Sequence, residues 1–277
     1  MFFIPFLFTI RTHYNSSSKI AVYVITYIIP LFLIVFLQNY PSSVSDADFY
    51  AAFLLSLVSY VNLYETGYIW NECETIKTEI DPTKRLSDAQ LAFYEKHKVL
   101  IYCERFALSA MLNFVLLFFV SSKSAVLFSL MELFSCVIFF VYNSVRGKIT
   151  QFFYFFLSAA KYSSICFCFS ENLNISVIVA AIFMFPVVRT MEYKAHYGAD
   201  SDVNLFFRKY IIRYDISKIT SFRVWATLAL LCISVAFWFS GVCNWIPVIV
   251  CLYMFLYRLA LFIAVKCGAQ FKGYLKR

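Results

Sequence analysis

The stretch from Tyr64 to Arg85, YETGYIWNECETIKTEIDPTKR, is where a long apolar run gives way to acids, amides and then cations. Such a segment has the residue types to hold a hard divalent cation and, through it, a diphosphate. If the helix carrying it continues past Trp70, Glu65, Glu72 and Glu79 recur every seven residues and fall within one narrow sector, with Asn71 and Thr75 beside it. Taken alone, the same residues also describe a solvated juxtamembrane helix. Other acids and cations occur inside apolar runs: Glu65, Glu104, Arg105, Glu132, Lys161 and Arg258. An ionised group there is costly unless it is paired or wetted, so these side chains are expected to face a shared interior. Arg105 and Lys161 are either counter-ions for Glu132 or Glu104, or cations aimed at an anionic substrate.

The elements that must position these groups follow from composition. Of the 277 residues 62% are hydrophobic and only 14% charged, which excludes an ordinary soluble domain and points to an all-α polytopic membrane protein forming one integral membrane domain. A bilayer core takes about 20 apolar residues per helix. Eight spans are expected, at Ile20–Gln38, Ala47–Trp70, Val99–Val120, Ala125–Tyr142, Thr150–Ser170, Ile175–Val188, Arg223–Gly241 and Trp245–Val265. The N-terminal MFFIPFLFTIRTHYNSSSK lacks the features of a removable signal peptide and reads as an interfacial segment.

Placing both termini in the cytoplasm puts nearly all loop Lys and Arg on one side, with only Lys123 opposite, as the positive-inside rule requires. The formal charge of +8 therefore argues for orientation, not for a nucleic-acid partner. The long polar segments, 71–98 and 191–220, are both cytoplasmic in this arrangement, and function is expected there. Most of the nine cysteines lie in apolar runs and suggest neither a disulfide framework nor a zinc site.

Gly67-x-x-x-Asn71-Glu72-x-x-Thr75-x-x-x-Glu79, followed by Lys84-Arg85-Leu86-Ser87, resembles the first signature of the UbiA-type intramembrane prenyltransferase superfamily. In that signature acids stand where this chain has Glu72 and Glu79, and a further acid where it has Thr75. Tyr142-Asn-Ser-Val-Arg146-Gly-Lys148 is similar to the family's Tyr-x-x-x-Lys pattern, and on a persistent helix Tyr142 and Arg146 would face one anion. Arg189-Thr-Met-Glu192-Tyr-Lys194-Ala-His196, followed by Asp200 and Asp202, stands where the second acidic signature belongs, with Arg189, Glu192 and His196 on one helical face.

The resemblance implies a bundle of eight or nine helices around a central cavity open to the cytoplasmic side, located in a bacterial inner or plasma membrane. It implies a Mg²⁺-dependent transferase acting on an isoprenoid substrate in the membrane and a small diphosphate donor, or transferring a prenyl group to a small acceptor. The phosphoribosyl branch, with a polyprenyl phosphate as acceptor, fits the same site. Asn71, Glu72, Glu79, Tyr142 and Glu192 are then the expected catalytic residues, and Glu72, Glu79 and Glu192 the metal ligands. Arg85, Arg146, Lys148, Arg189 and Lys194 are the expected phosphate-binding cations. Two rival readings are a transporter or flippase for an anionic lipid-linked substrate, and an inactive lipid-binding homologue.

Overall fold

The computed structural model of the chain describes residues 1–39, 46–78, 82–145, 149–169, 174–197 and 216–268, with the side chains of 193–197 and 216 set aside. Among these residues all regular structure is helical. A short helix α1 (Leu7–Thr12) precedes α2 (Ser17–Asn39), which carries a π-turn at Val24–Ile28. Next come α3 (Asp46–Cys73), α4 (Asp88–Leu116), α5 (Ser122–Ser144), α6 (Thr150–Cys168), α7 (Ile175–Met184), α8 (Pro186–Tyr197), α9 (Ile216–Phe239) and α10 (Ile246–Lys266).

Among the described residues seven helical stretches are long and apolar enough to cross a membrane, and the protein is an integral membrane protein on that ground. The stretch from Ile175 to Glu192 counts once, because α7 and α8 run on through a break at Phe185. Pro186 supplies no N–H at that point, and Phe185 leaves the helical region. The expected span at Thr150–Ser170 forms a helix but falls outside the seven. Its physical reason is placement: α6 buries Ser158, Tyr162, Ser163 and Ser164 against the bundle, so protein rather than lipid solvates its polar groups.

Helices α3 and α4, α5 and α6, and α9 and α10 pack as neighbouring pairs. α3 also touches α5 and α6, while α2 packs against α6, α7 and α10. The most enclosed helix is α3, with 56% of its membrane-length window buried. That explains its sequence: Ser56, Ser59, Asn62, Glu65 and Thr66 are all buried, so α3 has polar residues facing protein instead of one clean apolar stripe.

Local signals set the ends. Ser87 opens α4 with a capping box, its Oγ accepting from the Gln90 N–H at 3.3 Å while Gln90 Oε1 accepts from the Ser87 N–H at 2.9 Å. Ser121 and Asn174 cap α5 and α7 in the same sense. Replacing Ser87 by alanine is expected to cost about 0.5–2 kcal/mol, read as a lower midpoint in detergent-denaturant unfolding, with Ser87→Asp restoring it.

The helix that begins at Asp46 does not reach Glu79. It stops at Cys73, and a single 3-10 turn, Thr75–Lys77, follows. Glu74 explains the stop, since its carboxylate turns toward α4 and accepts from Tyr94 Oη at 2.8 Å, from Lys98, and from Lys77 at 2.9 Å. The expected single sector of Glu65, Glu72 and Glu79 is thereby corrected, and Glu79 itself lies outside the described residues. A second correction concerns α5, which ends at Ser144 with Val145 extended (φ −92, ψ 136), so no helical turn carries Tyr142 on to Arg146. Arg146 and Lys148 lie outside the described residues.

The N-terminal segment packs on the bundle. Phe2 and Phe8 are buried and pack with Ile69, Cys73, Leu86, Tyr94 and Ile101 of the α3–α4 pair and its link.

Candidate functional site

Glu65 and Arg105 meet in the interior. Arg105 is fully buried, and its Nη1 donates to Glu65 Oε2 at 2.9 Å and to Asn62 Oδ1 at 2.8 Å. Glu65 Oε1 accepts from the Thr9 N–H at 2.8 Å, while Arg105 Nε donates to the Phe2 carbonyl at 2.8 Å. The ion-pair partner of Arg105 is thus Glu65 and not Glu132, and the pair holds the N-terminal segment in place. This buried pair is fully engaged in structure.

Seven residues further along α3, Glu72 is 1% exposed and sits beside a guanidinium and an imidazole from two separate segments. Arg85 from the α3–α4 link donates to its Oε1, Asn71 Nδ2 lies 3.4 Å from the same oxygen, and His13 Nε2 approaches to 3.7 Å. The His13 ring packs at 4.4 Å on Tyr68, and its Nδ1 shares a hydrogen bond of 2.7 Å with Thr12 Oγ1. Thr75, where the family's signature has an acid, is buried, and its hydroxyl makes no hydrogen bond among the described residues.

Glu192, at the end of the seventh-and-eighth-helix stretch, is clamped by guanidinium groups. Arg189 Nη1 donates to Oε2 at 2.7 Å, Arg223 Nε to Oε1 at 2.5 Å, and Arg223 Nη2 to Oε2 at 2.9 Å. Arg189 Nε also donates to Tyr154 Oη at 3.2 Å. Arg258 of α10 acts on the same carboxylate. The i, i+3 spacing of Arg189 and Glu192 delivers the expected shared face.

A belt of rings joins the two clusters. From His13 it runs through Tyr68 to Phe139 (5.1 Å), Tyr142 (6.3 Å) and Tyr154 (5.9 Å), and so to Arg189. Beside it Lys161 points its ammonium at Tyr27 (4.8 Å), Tyr64 (5.1 Å) and Tyr23 (5.3 Å). At these distances the ring faces attract the cation, a favourable contact wherever water is scarce.

Of the residues singled out from sequence, the fold brings Asn71, Glu72 and Arg85 into one cluster and Arg189 and Glu192 into another, with Tyr142 on the belt between. Glu79, Arg146, Lys148, Asp200 and Asp202 lie outside the described residues, as do the side chains of Lys194 and His196. Sequence reasoning missed His13, Tyr154 and Arg223. Arg223 stood in view as the first residue of a span, where a cation facing the interior is a signal in itself; the other two had no local signal.

The donor sets differ in what they can hold. Mg²⁺ takes one or two carboxylates with phosphate and water oxygens. Glu72 is one carboxylate with the Asn71 amide at 3.4 Å and the buried Thr75 hydroxyl on the 3-10 turn that follows; Arg85 already donates to its Oε1, so a dication there would have to share that oxygen, displace the arginine or bind through Oε2. Glu192 does not fit as a metal ligand, because both its oxygens already accept from guanidinium groups whose charge repels a dication. Family models, curated proteins and solved structures were all compared with the chain, and none matches it.

Proposed function

We propose that the chain is an intramembrane transferase for an isoprenoid substrate and a diphosphate-bearing donor, as the resemblance to the UbiA superfamily implies. The observation that carries this reading is the convergence of guanidinium groups from separate elements, Arg85 from a link, Arg189 from α8 and Arg223 from α9, at the two ends of one aromatic belt. Guanidinium matches phosphate oxygens in pairs, and fixed N–H donors lose little entropy on meeting an anion. Arg189 spends two donors on Tyr154 and Glu192, fewer than half of those a guanidinium offers. The rings behind, Tyr64, Tyr68, Phe139 and Tyr142, suit an unsaturated hydrocarbon chain.

The two acids then do different work. Glu72, with Asn71 and Thr75, would hold Mg²⁺, which supplies charge to neutralise a departing diphosphate. Glu192 orients Arg189 and Arg223 toward the phosphate and takes no part in metal binding. The one-sided distribution of loop cations supports a cytoplasmic location for this end of the bundle.

Binding of prenyl diphosphates and of phosphoribosyl diphosphate to the purified protein, with and without Mg²⁺, tests the reading. Arg189→Ala is expected to weaken the productive donor by about ten- to a hundredfold, from the loss of about 1.5–3 kcal/mol in a charge-assisted contact. Glu72→Gln is expected to abolish the Mg²⁺ dependence. Identical binding by the wild type and both variants, together with no turnover of any donor, would overturn the proposal.

A further inference from the structure

Glu132 lies near the middle of α5, buried to 1% exposure and apart from the belt just described. Its Oε2 accepts from Asn113 Nδ2 at 2.6 Å. The same amide nitrogen donates to Ser129 Oγ at 3.0 Å, and Asn113 Oδ1 accepts from Ser59 Oγ at 3.0 Å. The second carboxyl oxygen, Oε1, has no hydrogen-bond partner among the described residues. Residues of three helices therefore surround one carboxyl group, which meets the Asn113 N–H on one oxygen and no hydrogen-bond partner among the described residues on the other.

The contrast with the remaining buried acids is informative. Glu65, Glu72 and Glu192 each meet an arginine, whereas no Lys or Arg among the described residues reaches Glu132 within ion-pair distance. Asn113 on α4 contacts it directly, Ser59 on α3 and Ser129 on its own helix bond to Asn113, and Tyr60, Cys136 and Cys168 are the other titratable groups of the buried surroundings. None brings a positive charge. A carboxylate among neutral groups in the membrane needs a cation of its own. A single carboxylate with hydroxyl and amide oxygens suits a monovalent ion, since dications draw on more anionic oxygens or on phosphates.

A surface groove touches the edge of this network. Between α4 and α5 a groove of about 220 Å³ is lined by Asn113 and Ser129 together with Phe114, Val126, Leu130 and Leu133. The four apolar residues are exposed on the bundle's outer surface, whereas Asn113 belongs to the Glu132 network.

We propose that Glu132, with Ser59, Asn113 and Ser129 around it, forms an intramembrane binding site for a monovalent cation, H⁺ or Na⁺. It does not depend on the transferase reading, because it shares no residue with the Glu72 and Glu192 clusters.

Dicyclohexylcarbodiimide, an apolar reagent, tests this on the full chain in liposomes. A protonated carboxyl adds across the reagent's C=N bond, its proton passing to nitrogen as the new C–O bond forms, and peptide mass mapping locates the adduct. The adduct is expected on Glu132, is expected to decline as pH rises, and is lost in Glu132→Gln. Glu65 and Glu192 in the same digest are expected to stay unmodified. Protection by NaCl but not by choline chloride identifies Na⁺ as an occupant; labelling indifferent to Na⁺ but sensitive to pH identifies the proton alone. Absence of the adduct on wild-type Glu132 at every pH, or equal labelling of Glu65 and Glu192, overturns the proposal. The wild-type map decides even where the Gln variant fails to fold.

Discussion

Arg105→Leu is expected to lower the stability of the folded bundle by about 3–5 kcal/mol, the scale seen when one partner of a buried ion pair is removed and the other is left charged. Arg105 is fully buried and serves four acceptors at once: Glu65 Oε2, Asn62 Oδ1 and the carbonyls of Phe2 and Ile4. Its loss strands the Glu65 carboxylate and two backbone oxygens together. The double variant Arg105→Leu with Glu65→Gln is expected to recover part of the loss, because the stranded charge goes with it. Unfolding in mixed micelles, followed by the reactivity of buried thiols such as Cys73, measures both. A change below about 1 kcal/mol in the single variant would show that the pair adds little and would place it with exposed ion pairs.

The second large effect is expected at Gly67. A β-carbon there would lie 2.2 Å from Cδ1 of Phe139 and 2.3 Å from its Cγ, far inside contact distance and close to the root of the ring. The ring has little room to yield, being packed by Tyr64 at 4.8 Å and Tyr68 at 5.1 Å, and Asn143 Nδ2 ties α5 to the Gly67 carbonyl at 3.0 Å. Gly67→Ala is expected to cost about 1–3 kcal/mol by overpacking. It also shifts Phe139, the ring that joins Tyr68 to Tyr142 in the belt, so ligand binding is expected to fall with stability. Adding Phe139→Ala to Gly67→Ala removes the clash, since alanine lacks the Cγ and ring atoms that the new β-carbon would meet; simple additivity of the two single effects would refute the close approach as the cause.

How far the sequence reaches is clear from these same residues. The helices were legible because a bilayer forces long apolar runs, whereas α4 begins at Asp88, behind its Ser87 cap and well before the span expected from Val99. Gly67 was visible as part of a motif, but not the ring it makes room for, since Phe139 lies on another helix. Periodicity gives a residue's face and never its partner: Glu65 and Glu72 share a sector of α3, yet one goes to Arg105 and the other to Arg85 and His13. The end of α3 at Cys73 depended on Tyr94 and Lys98, which are far along the chain and exert no local signal. Glu192 was found through its i, i+3 neighbour Arg189, whereas Arg223, from the next helix, completes the clamp only in three dimensions.

The anchoring of the N-terminal segment has a consequence for the order of events during synthesis. Its carbonyls at Phe2 and Ile4 and its N–H at Thr9 are satisfied by Arg105 and Glu65, and Phe8 is covered by side chains reaching as far as Ile101. None of these groups has left the ribosome when the segment emerges. Residues 1–12 must therefore wait, while the helices from α2 to α4 enter the membrane, before their own backbone hydrogen bonds are satisfied. A segment made before all of its partners is thus among the last to settle, and until then its Phe-rich surface is open to whatever else in the nascent-chain environment binds apolar segments.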